Sequence, residues 1–273
     1  MTSDYPFADL ALARRLEAAE GDGCVGYVEA RAQLDPAVGA ATIEVAGAAC
    51  AFDGPASPIT QTFGLGVLGT PTDADLDTIE GFFANRGAPT AHEVAPHAPI
   101  DLMARLADRG YRPIEVSNVM YRPTSAPIPG AAPGGPTPTV RTVGLAEASE
   151  WGEICVRGWE ATGEFATILR AMGPLAAARR RAAAYVADLD GVPIAAGAMS
   201  WHQGVMLLAG ACTVPEARNR GAQRALLAHR LGAAASLGCD LAMMVVVPGS
   251  ASQRNAERQG FRIAYTRTKW LKT

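Results

Sequence analysis

The chain has 273 residues, 49% hydrophobic and 19% charged, enough to pack cores of ordinary size and unlike a disordered chain. A formal net charge of -3 provides no overall basic field for nucleic acid or an anionic membrane, although a local basic patch can still hold a small anion. Five cysteines, Cys24, Cys50, Cys155, Cys212 and Cys239, show no C-x-x-C spacing and no neighbouring His cluster, the pattern of reduced thiols in a cytoplasmic protein with no metal site.

The opening "MTSDYPFADLALARRLEAAE" carries acids early and has no apolar run of signal-peptide length. No stretch of about 18 uncharged apolar residues is present, so no transmembrane helix is expected. Further on, "IDLMARLADR" reads as a helix, Gly110 fits its C-cap, and "YRPIEVSNVMYRP" reads as a strand. The segment "RPTSAPIPGAAPGGPTPT" is dense in Pro and Gly and cannot bury enough surface to repay its ordering. It divides the chain into a first domain at 1–122, a linker at 123–139 and a second domain at 140–273.

In the second half the coarse order is helix, three strands, helix, strand, helix, strand. "EASEWGEICVRGWE" supplies the first helix, and Asp190-Gly191 makes a type I′ hairpin between the first two strands. The next turn falls at His202-Gln203-Gly204. Leu227, Leu231, Ala234 and Ala235 form one face of a helix over residues 223–237, and "CDLAMMVVVP" reads as a strand buried on both faces. A helix in "SASQRNAER" then ends at Gly260, and a last strand follows.

The halves echo each other. Gly110-Tyr111-Arg112 and Gly260-Phe261-Arg262 each open a strand after a helix, and "VLGTPTDADLDTIEGFF" parallels "ACTVPEARNRGAQRALL" around Pro71 and Pro215.

The chemistry gathers where the third strand of the second half meets its helix. A helix N-terminus leaves backbone N–H groups unpaired and carries partial positive charge, so phosphates bind there. The loop Arg218 to Gly221 presents those amides, Gly221 lets the backbone approach closely, and Arg218, Arg220 and Arg224 add charge. Cations at this end oppose the helix dipole unless an anion offsets them.

These residues resemble the Gcn5-related N-acetyltransferases. That family carries a V-x-P-like strand end and then [QR]-x-x-G-x-[GA] opening a helix, matched here by Thr213, Pro215, Arg218, Gly221 and "AQRALLAHRL". Its later strand, short helix and G-F are matched by "LAMMVVVPGSASQRNAERQGF", so the resemblance covers most of residues 139–273. Two positions depart from the pattern. Gln223 stands where glycine or alanine is usual, and Asn219 stands where glycine is common.

The resemblance implies an α/β (α+β) fold of the acyl-CoA N-acyltransferase type, with a mixed, mostly antiparallel central sheet flanked by helices, in two copies. It implies acetyl-CoA as cofactor. The pantetheine arm would lie along Cys212, Thr213 and Val214 by strand addition, and the pyrophosphate would meet Arg218, Asn219, Arg220, Gly221, Ala222 and Gln223, with Arg224 nearby. Asn255 would hydrogen-bond the pantetheine, or is a solvated residue on a short helix.

Many relatives protonate the departing thiolate with a tyrosine five residues before the Phe of G-F; that position is Ala256 here. Two substitutes are open: Tyr265 on the last strand, otherwise a packing residue, and Glu164 in "WEATGEF", otherwise solvated. His202 sits in a turn, and Cys212 has no recognisable base partner. In the first half the places of Arg218 and Gly221 are held by Ala74 and Asp77, and Asp73, Asp75 and Asp77 suit a helix start without a ligand. That half is expected to be a degenerate copy.

Three functions stay open. The first is N-acetyl transfer from acetyl-CoA to an amine of a small molecule or protein. The second is a non-catalytic acyl-CoA-binding or sensing module. The third, a nucleotide-phosphate binder, lacks G-x-x-x-x-G-K-[ST] and the dinucleotide G-x-G-x-x-G. Neither nucleic acid nor membrane is an expected partner, and a homodimer is left open.

Overall fold

Caps and glycines mark the element ends in the computed structural model, which describes residues 5–129 and 137–273. Asp9 caps α1 (Leu10–Leu34) by accepting from the Leu12 N–H at 3.0 Å. A hairpin of β1 (Ala41–Val45) and β2 (Ala48–Phe52) turns through Ala46 and Gly47, both left-handed. Then come β3 (Gln61–Phe63), α2 (Asp73–Ala84), β4 (Thr90–Val94), α3 (Ile100–Asp108) and β5 (Arg112–Pro123).

The second half contains β6 (Thr139–Val143), α4 (Ala148–Gly158), α5 (Gly163–Ala178), β7 (Ala182–Leu189), β8 (Val192–His202) and β9 (Val205–Thr213). It continues with α6 (Ala222–Gly232), β10 (Leu241–Val246), α7 (Ala251–Arg258) and β11 (Arg262–Lys272). Two strands pairing in a hairpin, a third strand, helix, strand, helix, strand therefore recurs in both halves.

The echoed glycines do the same work. Gly110 and Gly260, at φ 90° and 81°, end α3 and α7. The N–H of Tyr111 reaches Leu106 O and that of Phe261 reaches Ala256 O, both at 3.0 Å, which is the Schellman closure. The expected order needs two amendments: a strand, β6, precedes the helices, and there are two helices, α4 and α5, where one was read. They pack closely because Gly152 and Gly173 have no side chain: a Cβ on Gly173 would lie 2.2 Å from Ala148 O.

The chain divides into two units, Met1–Pro123 with Met243–Thr273, and Thr124–Ala242. The expected domains, 1–122 and 140–273, differ from this at the C-terminus, for a topological reason. In the first unit the strand order is β1-β2-β3-β4-β11-β5, so β11 is an interior strand, pairing antiparallel with both β4 and β5. The pairing of β3 with β4 is parallel, at Thr62 and His92. Of the expected linker, residues 130–136 lie outside the described residues.

One face of the first unit's sheet packs Leu76, Ile79 and Phe83 of α2 and Leu102 and Leu106 of α3 against Val45, Phe52 and Val94. Against α1 the sheet buries charge instead. Arg267 of β11 lies 3.1 Å from Glu17, 2.6 Å from Glu20 and 3.1 Å from Glu93. In the second unit β9, β8, β7 and β6 form an antiparallel sheet in that order. Its hairpins turn through Asp190-Gly191 and Gln203-Gly204, all four residues left-handed. Among the described residues, no helix is long and apolar enough to cross a membrane.

Candidate functional site

The β9 ladder stops at Val214, whose N–H still bonds Ile194 O at 2.9 Å, because Pro215 has no N–H to continue it. One 3-10 turn, Pro215–Ala217, leads into the loop Arg218 to Gly221 and so to α6. Asn219 and Gly221 are left-handed, at φ 64° and 85°. Left-handed residues flanking another residue are the kind of backbone from which anion-holding concavities are built. Gly221 is the N-cap of α6; it makes no side-chain cap bond, and the first turn contains no acid. The partial positive charge of this helix end is therefore left to a ligand or to water.

The matching helix of the first unit closes its own end. Thr72 caps α2 in a reciprocal box with Asp75, and Asp73 and Asp75 lie in the first turn. The bonds from Thr72 hold the Asp75 carboxyl below its usual range. Arg109 adds bonds to the Asp77 carboxylate at 2.7 Å and the Asp73 carbonyl at 3.0 Å.

Each arginine of the α6 loop has its own neighbour. Arg218 donates to the Glu160 carboxylate at 2.8 Å and to Gly158 O at 3.2 Å. Arg220 approaches Asp190 only to 4.0 Å, and Arg224 donates to Pro129 O at 2.9 Å. The side chains of Arg218 and Arg220 are about half exposed. The salt bridge to Glu160 is also exposed, and such a pair holds weakly.

Gln223 stands where the resembled pattern carries glycine or alanine. It proves to be bonded to the adjoining strand: its amide donates to Cys212 O at 2.7 Å and to Thr213 Oγ1 at 2.9 Å. Cys212 and Val214 are buried, Thr213 half-buried. The Cys212 sulfur faces α4, 3.8 Å from the Cys155 sulfur. The neighbouring thiol lowers the Cys212 pKa and raises that of Cys155.

Immediately before Cys212 the strand carries a β-bulge that the sequence reading missed. Ala196 pairs with Cys212 but Ala198 pairs with Ala209, so Gly210 and Ala211 together face Gly197. Gly210 is left-handed at φ 61°, and Ala211 is exposed. A glycine inside a strand pattern is the available sequence signal for such a feature.

Cys212, Thr213 and Val214 lie at the end of β9, and residues 218–224 form the loop and first turn of α6 that follow it. Glu164 is exposed in the first turn of α5. Asn255, exposed on α7, and Tyr265, on β11, belong to the other unit. Tyr265 is buried and its hydroxyl donates to Glu17 Oε1 at 2.8 Å; burial and Glu17 push its pKa well above the ordinary value.

Solved structures sharing this fold include a GCN5-related N-acetyltransferase from Kribbella flavida, 19% identical, covering 90% of this chain and 95% of that one at a TM-score of 0.63. A functionally unknown conserved protein from Staphylococcus epidermidis is 11% identical, with 86% and 94% covered and a TM-score of 0.60. A tandem GNAT protein from the clavulanic acid biosynthesis pathway is 14% identical, with 82% and 78% covered and a TM-score of 0.56. No curated protein matches the sequence. Residues 149–261, which hold α4, the bulged strand and the α6 loop, match the model of the acetyltransferase (GNAT) family. This stretch of the chain is thus similar to the acetyltransferase (GNAT) family.

Proposed function

We propose that the protein is an N-acetyltransferase that moves an acetyl group from acetyl-CoA to a primary amine of a small molecule or protein. The observation that carries this reading is the open N-terminus of α6, whose only cap is a left-handed glycine. The residues fit the cofactor. Asn219 and Gly221 are left-handed, Arg218 and Arg220 are half-exposed and weakly held, and no acid in the first turn repels a pyrophosphate.

When bound, acetyl-CoA supplies the activated acetyl thioester. The protein's part is to hold and orient it. The α6 amides and Arg218 take the pyrophosphate, and the backbone of Cys212 to Val214 takes the pantetheine arm once Gln223 releases Cys212 O. Glu164, exposed at the start of α5, is assigned to accept a proton from the incoming ammonium through water. Tyr265 already donates to buried Glu17, so the thiolate's proton is assigned to solvent. The first unit, whose α2 is capped by its own acids, acts as a degenerate copy without CoA. We place the protein in the cytoplasm, in keeping with its five buried cysteines, none of them in a disulfide.

A second reading, a non-catalytic acyl-CoA binder, draws on Ala256 at the usual tyrosine position and on the Gln223 bond across the cofactor strand. Turnover separates the two. A panel of primary amines is incubated with acetyl-CoA and free CoA thiol is followed; amine-dependent release supports the transferase. Binding of acetyl-CoA with no release across the panel favours the sensing module. Stabilisation by ATP but not by CoA would discard both.

A further inference from the structure

The bulge in β9 is held from both faces of its sheet. From α4, the Trp151 indole N–H donates to Gly197 O at 3.2 Å. From α6, Arg230 donates to Ala198 O at 3.0 Å and, through Nε, to Leu226 O at 3.0 Å. Gly197 is the residue that the bulge faces, and Ala198 is its neighbour. Successive strand residues point to opposite faces. Ala198 and the bulged Gly210 meet the α4 side, where a Cβ on Gly210 would lie 2.9 Å from the Trp151 ring and 3.7 Å from the Ala198 Cβ. Gly197 meets the α6 side, where a Cβ would lie 3.3 Å from Arg230. Two missing side chains thus admit two large ones.

Arg230 is an expensive way to fill that space. It is 3% exposed, and among the described residues no carboxylate pairs with it. Burial lowers its pKa to about 10, which leaves it charged at neutral pH. An unpaired buried cation is costly, and an apolar side chain of similar volume fills such a site at lower cost. What Arg230 provides that a leucine cannot is a rigid donor fork tying α6 to the β8 backbone opposite the bulge.

We propose that Trp151 and Arg230 are positioning residues that clamp the Gly210-Ala211 bulge and thereby set the backbone direction of Cys212 to Val214 for the acyl-pantetheine arm. The inference rests on the acetyl-CoA reading above. Loss of either donor lets the strand regularise or shift, and the arm then meets a misaligned edge. The pyrophosphate loop, built by Asn219, Arg220 and Gly221, does not depend on the clamp.

The test uses the full chain and two ligands, acetyl-CoA and its nucleotide half, 3′-phosphoadenosine 5′-diphosphate, titrated into wild type, Trp151→Phe, Arg230→Lys and Arg230→Leu. The clamp predicts that each variant loses about tenfold or more in acetyl-CoA affinity while binding the nucleotide half within about twofold of wild type, because misplaced geometry is felt only where the arm is held. Arg230→Lys keeps a donor and recovers part of the loss relative to Arg230→Leu. Unchanged acetyl-CoA binding overturns the clamp, as does a parallel loss of both ligands, which is what general destabilisation gives. A wild type that binds neither ligand overturns the cofactor reading, and the clamp with it.

Discussion

The side-chain amide of Gln223, on the first turn of α6, donates to the carbonyl oxygen of Cys212 on β9 at 2.7 Å. The free protein thereby occupies with its own side chain a backbone acceptor on the strand assigned to pantetheine. Replacing Gln223 with Ala removes a competing bond of about 1 kcal/mol and exposes the carbonyl to water. Gln223→Ala is expected to bind acetyl-CoA about fivefold more tightly, with little loss of thermal stability. Weaker binding in a calorimetric titration would show that Gln223 contacts the ligand directly.

Arg267 lies within 3.1 Å of three carboxylates inside the first unit, Glu17, Glu20 and Glu93, the last of which Lys269 also reaches at 3.3 Å. Removing the cation leaves Glu17 and Glu20 buried beside each other without one, a loss of about 3–5 kcal/mol in denaturant unfolding for Arg267→Met. The deficit narrows toward acid pH, because burial already raises the Glu20 pKa and proton uptake relieves the repulsion. A deficit that grows on acidification would contradict this account.

His92 sits on β4 with its ring 4.9 Å from that of Tyr111, and neither ring nitrogen has a hydrogen-bond partner among the described residues. Burial lowers its pKa from 6.5 to about 3. The unfolded chain therefore takes up a proton that the folded one refuses, and stability falls as pH drops from 6.5 toward 3. The slope from this group is about 1.4 kcal/mol per pH unit. His92→Leu removes that slope, so its stability relative to wild type rises on acidification through this window; parallel curves would contradict the assignment.

Because β11 lies between β4 and β5, residues 1–123 alone leave unpaired the edges of β4 and β5 that β11 covers. The fragment 1–123 is expected to show no cooperative unfolding and to aggregate. Joining residues 243–273 to it through a flexible linker restores a cooperative transition, read by circular dichroism. A well-folded 1–123 would mean that the last strand is dispensable.

What the sequence disclosed was local. The Asp190-Gly191 and Gln203-Gly204 turns, the Gly110 and Gly260 helix ends and the strand–loop–helix at Thr213 to Gln223 are each specified by a few consecutive residues with particular backbone needs. β11 reads as a strand in the sequence, but its partners lie about 140–180 residues away, and no periodicity within "RIAYTRTKWLK" names them. β6 was lost because "TVRTV" is short and abuts the Pro/Gly run. The tie of Gln223 to Cys212 and the approach of Trp151 and Arg230 to β8 were invisible for the same reason: each joins residues brought together only by the fold.

The most direct test of the account is a calorimetric titration of acetyl-CoA into wild type and into Arg218→Glu/Gly221→Asp. Aspartate tolerates the left-handed cap position better than most residues and can cap α6 itself, so the variant is expected to fold. If the α6 N-terminus is the pyrophosphate site, wild type binds and the variant loses about a hundredfold or more in affinity. Equal binding by both proteins would put the cofactor elsewhere, and no binding by a folded wild type would contradict the acetyltransferase assignment.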